Sequence, residues 1–167
     1  MDEVHRVFIG LGSNLGDKQT NILVAYQHLE EKGYEIINKS SFYVTPPWKF
    51  EAKEDFINTI IEIKTTQSAE ILLSHLKGIE HFMGRKEKSA GEPYKSRIID
   101  LDIIDYNGTI SESGKLILPH PYIEQRNFVL CPLNELDPNW IHPKLKVPIG
   151  NLISALDLSD IRIVNTK

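Results

Sequence analysis

Asp100 and Asp102 stand two residues apart in the run Arg97-Ile98-Ile99-Asp100-Leu101-Asp102-Ile103-Ile104-Asp105. Hydrophobic and acidic residues alternate with period two, so the run reads as a half-buried strand. Ile99, Leu101 and Ile103 then face a core, with the two aspartates together on the opposite face. Carboxylates at i and i+2 on one strand face lie roughly 7 Å apart, near enough to repel each other and to share divalent cations. Ile98 and Ile104 flank them on that face, which would set the acids in a partly apolar cleft. Arg97, at the strand entrance, adds a fixed cation suited to a phosphate oxygen. An ordinary amphipathic strand with an acidic solvent face has the same pattern. The reading that carries chemistry is carboxylates for Mg²⁺ beside an arginine for phosphate, and it suggests a nucleotide substrate.

The rest of the chain must position that strand. Its 167 residues correspond to one domain, large enough to bury a core without disulfides or a structural metal. Hydrophobic residues make up 41% and charged residues 25%, and no apolar run nears the roughly 20 residues of a membrane span. The acidic start, Met1-Asp2-Glu3, leads straight into a strand and does not read as a secretory signal, so a cytoplasmic protein is expected. A lone cysteine, Cys131, excludes an internal disulfide and reads as a small buried hydrophobe. The net charge of −4 argues against broad nucleic-acid binding.

Val7-Phe8-Ile9 reads as a buried first strand running into Gly10-Leu11-Gly12-Ser13-Asn14-Leu15-Gly16-Asp17. The spacing G-x-G-x-x-x-G misses the dinucleotide fingerprint by one residue, and no Walker sequence is present. The glycines therefore predict a tight turn, with Asp17 capping a helix over Lys18–Lys32 that buries Ile22, Ala25, Tyr26 and Leu29 and ends at Gly33. A strand over Tyr34–Val44 closes at Thr45-Pro46-Pro47-Trp48, which cannot continue a sheet. Phe56–Ile63 predicts the next strand, antiparallel to it, with Asn58 as a polar group on a largely apolar face beside Phe56 and Ile60. Such an asparagine is either a satisfied structural group or a reader of a heterocycle edge.

Ser68 is the N-cap expected for a helix over Ala69–Met83 with Ile71, Leu72, His75, Leu76 and Ile79 buried, and His75 reads as a core histidine. Arg85–Ser96 is a charged loop leading into Arg97. Beyond the aspartates, Tyr106-Asn107-Gly108-Thr109 signals a hairpin. Lys115–Leu118 then leads into Pro119-His120-Pro121. A helix carrying Arg126, Phe128, Val129, Leu130 and Leu133, broken at Asp137-Pro138, precedes a short helix over Ile149–Leu156 and a terminal strand over Ile161–Val164.

Seven motifs stand in register along the chain. They are Gly-Ser-Asn-Leu-Gly-Asp at 12–17, Ser-Ser-Phe-Tyr-Val-Thr-Pro-Pro at 40–47, Phe-Ile-Asn at 56–58, Gly-Arg at 84–85, Arg-Ile-Ile-Asp-Leu-Asp-Ile at 97–103, Pro-His at 119–120 and Arg-Asn-Phe-Val-Leu at 126–130. Together the sequence resembles the 6-hydroxymethyl-7,8-dihydropterin pyrophosphokinases of folate biosynthesis over nearly its whole length. The resemblance implies an α/β (α+β) fold, a ferredoxin-like sandwich with a mostly antiparallel sheet flanked by helices on both faces. It implies transfer of pyrophosphate from ATP to the pterin hydroxymethyl group, releasing AMP. Asp100 and Asp102 would hold two Mg²⁺ ions that bridge the ATP phosphates.

The same resemblance puts Arg85 and Arg97 on phosphates or the closed loop, with His120 and Arg126 on the nucleotide side. Glu80 and the backbone around Ile103 would help hold the nucleoside. The pterin would lie between Phe128 and a loop aromatic, read by Asn58 and the backbone near Thr45, Pro46 and Trp48, with Phe56 lining the pocket. Family members commonly carry Trp-Gly-Pro-Arg before the aspartates. This chain has Gly-Glu-Pro-Tyr-Lys-Ser-Arg, so Tyr94 stands for the tryptophan and Lys86 or Lys88 for a loop arginine that falls near Glu87. Lys115 stands where arginine is frequent, and Pro121 where tyrosine is. Thr45–Asp55 and Arg85–Ser96 are expected to close over the site when both substrates bind. A monomer is expected, with a weak dimer as the alternative. A non-catalytic ligand sensor on the same fold is the competing class; it would need no paired aspartates and would make no AMP.

Overall fold

β1 (His5–Ser13) is the strand on which the sheet is assembled. Val7, Ile9 and Leu11 point into one hydrophobic cluster and Phe8 into a second on the opposite face, as a period of two dictates. β1 pairs antiparallel with β4 (Phe56–Thr65) on one side and with β5 (Asp100–Tyr106) on the other. The outer edge of β4 is shared by β2 (Glu35–Lys39) and β3 (Phe42–Thr45), and β3 pairs in turn with β8 (Arg162–Val164). The structure, a computed structural model, describes residues 3–46, 54–84 and 97–164.

α1 (Lys18–Glu31) follows β1 and α2 (Ala69–Phe82) follows β4, and both lie on the Val7–Ile9–Leu11 face. Their N-termini are capped as the sequence predicts. Asp17 accepts the Thr20 N–H at 3.2 Å and Ser68 the Ile71 N–H at 3.2 Å, satisfying donors that a helix start leaves orphaned. α3 (Asn127–Leu136) and α4 (Ile149–Ser154) cover the other face, where Val129, Leu130, Leu133 and Ile149 join Phe8, Ile60, Ile104 and Trp140. Helices after β1 and β4, with the sheet order β5-β1-β4-β3, make the split β-α-β arrangement of a ferredoxin-like sandwich. No helix among the described residues is long and apolar enough to cross a membrane.

Several local expectations are corrected. The glycines at 10 and 12 make no turn: β1 runs on through Ser13, and only Gly16, at φ +71°, takes the left-handed conformation. The expected strand over Tyr34–Val44 breaks into β2 and β3 at Ser40, whose Oγ accepts the Ile60 N–H at 2.9 Å and so stands in for a ladder carbonyl. Ile71 is exposed rather than buried, and Ile98 packs with the α1–α2 cluster rather than beside the aspartates. Cys131 is half-buried.

Asn107 and Gly108 do form a tight turn, at φ 51° and 72°, but the chain does not return along β5. β6 (Ser111–Ser113) pairs instead with β7 (Leu116–Leu118). The outer edge of β5 is already taken, because Glu80 accepts the Leu101 N–H at 2.9 Å and the His120 N–H donates to the Ile104 carbonyl at 2.9 Å.

Candidate active site

Gly10 and Gly12 leave a bare strip on the α3 face of β1. In the sheet register Asn58, Gly12 and Asp100 form one row across β4, β1 and β5, and Ile60, Gly10 and Asp102 form the next. A Cβ on Gly12 would stand 2.7 Å from Asn58 Oδ1, and one on Gly10 would stand 3.1 Å from Ile104 Cδ1. Two missing side chains therefore lower the floor between the carboxylates of β5 and the amide of β4. Above it opens a cleft of about 500 Å³.

Arg97, Asp100, Asp102, His120 and Lys77 form its polar wall. The Arg97 guanidinium donates to Asp100 Oδ1 at 2.8 Å, while the more exposed Asp102 has Oδ2 3.9 Å from His120 Nε2. His120 Nδ1 lies 2.9 Å from the Pro121 carbonyl oxygen, which can only accept. Nδ1 therefore carries the proton, and the neutral ring turns an Nε2 lone pair toward Asp102. Burial holds His120 below the ordinary histidine range, with Asp102 pulling the other way, which favours the neutral ring at pH 7.

The opposite wall is Pro46, Phe56, Asn58 and Phe128. Asn58 Nδ2 donates to Thr45 Oγ1 at 3.2 Å, which turns the amide and leaves its carbonyl oxygen beside Gly12. Arg126, which caps the start of α3, also lines the cleft. Its guanidinium carbon lies 5.6 Å from the centre of the Phe128 ring and 5.8 Å from that of Tyr122, both within cation–π range.

Asp100 and Asp102 are half-exposed hard oxygen donors on one face. That suits Mg²⁺, which takes one or two protein carboxylates and completes its shell with water and substrate phosphate. Among the described residues no three metal-ligating side chains converge, so a metal held wholly by protein, as a structural zinc is, has no site there.

The cleft thus gathers Pro46, Phe56, Asn58, Arg97, Asp100, Asp102, His120, Arg126 and Phe128. Thr45 is buried behind Asn58 and borders a smaller adjoining recess with Asn127, Asp157 and Asp160. Glu80 is buried, with one oxygen on the Leu101 N–H and the other 3.3 Å from Lys77 Nζ. The Ile103 side chain packs in the α1–α2 core, and Lys115 is exposed at the β6–β7 turn. Trp48, Arg85, Lys86, Lys88 and Tyr94 lie outside the described residues, as do 47–53 and 85–96 of the two segments expected to close.

Sequence reasoning missed Gly10 and Gly12 as the floor, and Lys77 and Tyr122 as lining. A glycine pair at strand period directly continuing Val7-Phe8-Ile9 was the available signal for the first. The Lys77–Glu80 spacing of i, i+3 on a helix was the signal for Lys77. Nothing in the sequence marked Tyr122.

A ferredoxin-like sandwich with carboxylates and cations on one wall of a cleft, and an amide between aromatic rings on the other, is suited to a transferase that holds a polyanion beside a flat heterocycle. The chain belongs to the 7,8-dihydro-6-hydroxymethylpterin-pyrophosphokinase (HPPK) family, whose profile matches residues 8–138. It is 39% identical over 143 residues to the 2-amino-4-hydroxy-6-hydroxymethyldihydropteridine pyrophosphokinase of Aquifex aeolicus, covering 86% of this chain and 87% of that one. It is 36% identical to the protein of the same name from Porphyromonas gingivalis, covering 85% and 97%. The folic acid synthesis protein FOL1 of Dictyostelium discoideum is 40% identical over 146 residues, but the chain spans only 22% of that protein's length. Among solved structures, an HPPK-DHPS in complex with substrates superposes with a TM-score of 0.76 at 14% identity, over 97% of this chain and 47% of that one. Plasmodium falciparum HPPK-DHPS with pterin and p-hydroxybenzoate gives 0.75 at 18%, over 99% and 47%. At those identities the likeness establishes the fold.

Proposed function

We infer that the cleft over Gly10 and Gly12 is where this pyrophosphokinase works. The reaction is transfer of the pyrophosphoryl group of ATP to the hydroxymethyl group of 6-hydroxymethyl-7,8-dihydropterin, a step of folate biosynthesis. The pterin hydroxyl oxygen attacks the β-phosphorus, the bond from that phosphorus to the α-phosphate bridging oxygen breaks, AMP leaves and the hydroxyl proton is released. The observation that carries the placement is the shared row of Asn58, Gly12 and Asp100, which sets a heterocycle-reading amide and a cation-binding carboxylate on two sides of one bare strip.

Phe128 and Phe56 supply apolar faces for the pterin, and the Asn58 amide meets its polar edge. Asp100 and Asp102 would hold two Mg²⁺ ions, which would offset the charge on the phosphates. Arg97 and Arg126 orient phosphate oxygens, and the neutral His120 offers Nε2 as an acceptor at the nucleotide end. Thr45 and Glu80 act from behind, the first on the Asn58 amide and the second on β5. The two hydrophobic clusters on one sheet support a single domain.

Separate titrations with the pterin and with Mg²⁺ and a non-hydrolysable ATP analogue test the assignment of the two walls. Asn58→Ala weakens the pterin by about 1–3 kcal/mol, the cost of unpaired hydrogen-bonding groups, and leaves the nucleotide unchanged. Asp102→Asn does the reverse and abolishes turnover. Equal loss of both ligands in Asn58→Ala would make that residue structural, and near-native turnover of Asp102→Asn would remove its metal role.

A further inference from the structure

The Gly-Ser-Asn-Leu-Gly-Asp motif is no phosphate loop, and the cleft as described uses only its first glycine. Its asparagine is fully buried. The Asn14 main-chain N–H donates to the Arg97 carbonyl at 3.0 Å, and its side-chain carbonyl accepts the Arg97 N–H at 2.6 Å. One residue thus engages both backbone polar groups of Arg97, three residues ahead of Asp100 and just before β5 begins.

The Arg97 side chain lines the cleft and donates to Asp100 Oδ1. The segment holding Asn14 is itself braced from α1, where Asn21 Nδ2 donates to the Leu15 carbonyl at 2.9 Å and to Ser13 Oγ at 3.2 Å. A buried side-chain amide spent on the backbone of a distant residue fixes where that residue's Cα lies. Arg97 is a long side chain, and a small backbone rotation would swing its guanidinium out of reach of Asp100 and of phosphate.

We propose that Asn14 is a positioning residue for the reaction: its side-chain amide clamps the Arg97 backbone so that the guanidinium stands between Asp100 and the phosphates. Asn14 touches no reacting atom in this role and acts wholly through Arg97. The inference rests on the placement of phosphates at Arg97 given above.

A double-mutant cycle on turnover tests it, with Asn14→Ala, Arg97→Ala and the double variant, all measured with ATP, Mg²⁺ and the reduced pterin. Asn14→Ala is expected to lower kcat about tenfold, the scale of one buried hydrogen bond, while KM for the pterin stays within about twofold. Asn14→Asp, which keeps an acceptor oxygen, recovers most of the loss. In the Arg97→Ala background the Asn14 change has little further effect, because the group it positions is gone. Losses that multiply fully would show that Asn14 acts independently of Arg97 and would overturn the proposal.

Amide exchange of the unmutated protein gives a second reading that needs no variant to fold. The Arg97 N–H is protected if the clamp exists, and exchange at the rate of an open amide would overturn it. Full activity of Arg97→Ala combined with a protected Arg97 amide would contradict the phosphate assignment and the positioning role while leaving the clamp itself standing.

Discussion

Gly12 shows how much of the site is set by an atom that is absent. A β-carbon there would collide with Asn58 Oδ1 at 2.7 Å, whereas one on Gly10 would meet the Ile104 side chain less closely, Cδ1 at 3.1 Å and Cγ1 at 3.3 Å. Gly12→Ala is therefore expected to turn the Asn58 amide and weaken the pterin at least about fivefold, on the scale of 1–3 kcal/mol for overpacking a tight contact, and Gly10→Ala to do less. Calorimetric titration of both variants checks the order; a pterin affinity unchanged in Gly12→Ala would show that the amide does not face the ligand. Much at this scale was legible. The alternation of aspartates and aliphatics placed Asp100 and Asp102 on one face, and the Asp17 and Ser68 caps followed from local chemistry. The glycines were misread because in isolation they permit a turn and a bare strand face equally; the ladder to β4 and β5, invisible in a single stretch, decides between them.

Among the elements, α3 carries Phe128 in its first turn, with Arg126 as the residue that caps it, and is anchored near its other end. Glu135 accepts the Ser41 N–H at 2.7 Å and the Tyr43 hydroxyl at 2.8 Å, fixing the helix to β3. Glu135→Ala is expected to cost about 1.5–3 kcal/mol in urea unfolding, the range for hydrogen bonds to a charged group, with the slope of the transition unchanged. A loss below a few tenths would mean that hydrophobic packing alone seats the helix. The Glu135 clasp, the Ser40 break and the covered edge of β5 were all illegible from sequence for a common reason. Each depends on hydrogen bonds between polar groups far apart along the chain, and periodicity reports only which residues are apolar. The Asn107-Gly108 turn signal was sound for the turn and silent about which strand would pair next.

For the whole molecule, buried His142 and half-buried His120 both favour the neutral ring and so add to the loss of stability in acid. His142 Nδ1 accepts the N–H groups of Lys144 and Leu145 at 3.1 and 3.0 Å, so a proton on Nδ1 would abolish both bonds, and burial pushes the ring below its ordinary 6.5. His120 is lowered for the same first cause. A group whose folded pKa is depressed binds fewer protons folded than unfolded. Their contribution to stability is thus fully present above about pH 6.5 and is lost as the pH drops below it toward the folded values. Thermal unfolding between pH 8 and 5 should show that fall, and His142→Asn, which keeps an acceptor for the two amides, should blunt it; identical profiles would assign the acid sensitivity elsewhere. The same fold brings the wall of carboxylates and arginine and the wall of aromatic rings and amide together across one strand, and the proposal that they act in a single transfer has a direct measurement. ATP labelled at the β-phosphorus is incubated with Mg²⁺, the reduced pterin and the protein, and the products are separated. The account predicts AMP in step with labelled pterin diphosphate; ADP with a singly phosphorylated pterin, or pterin bound without any transfer, would contradict it.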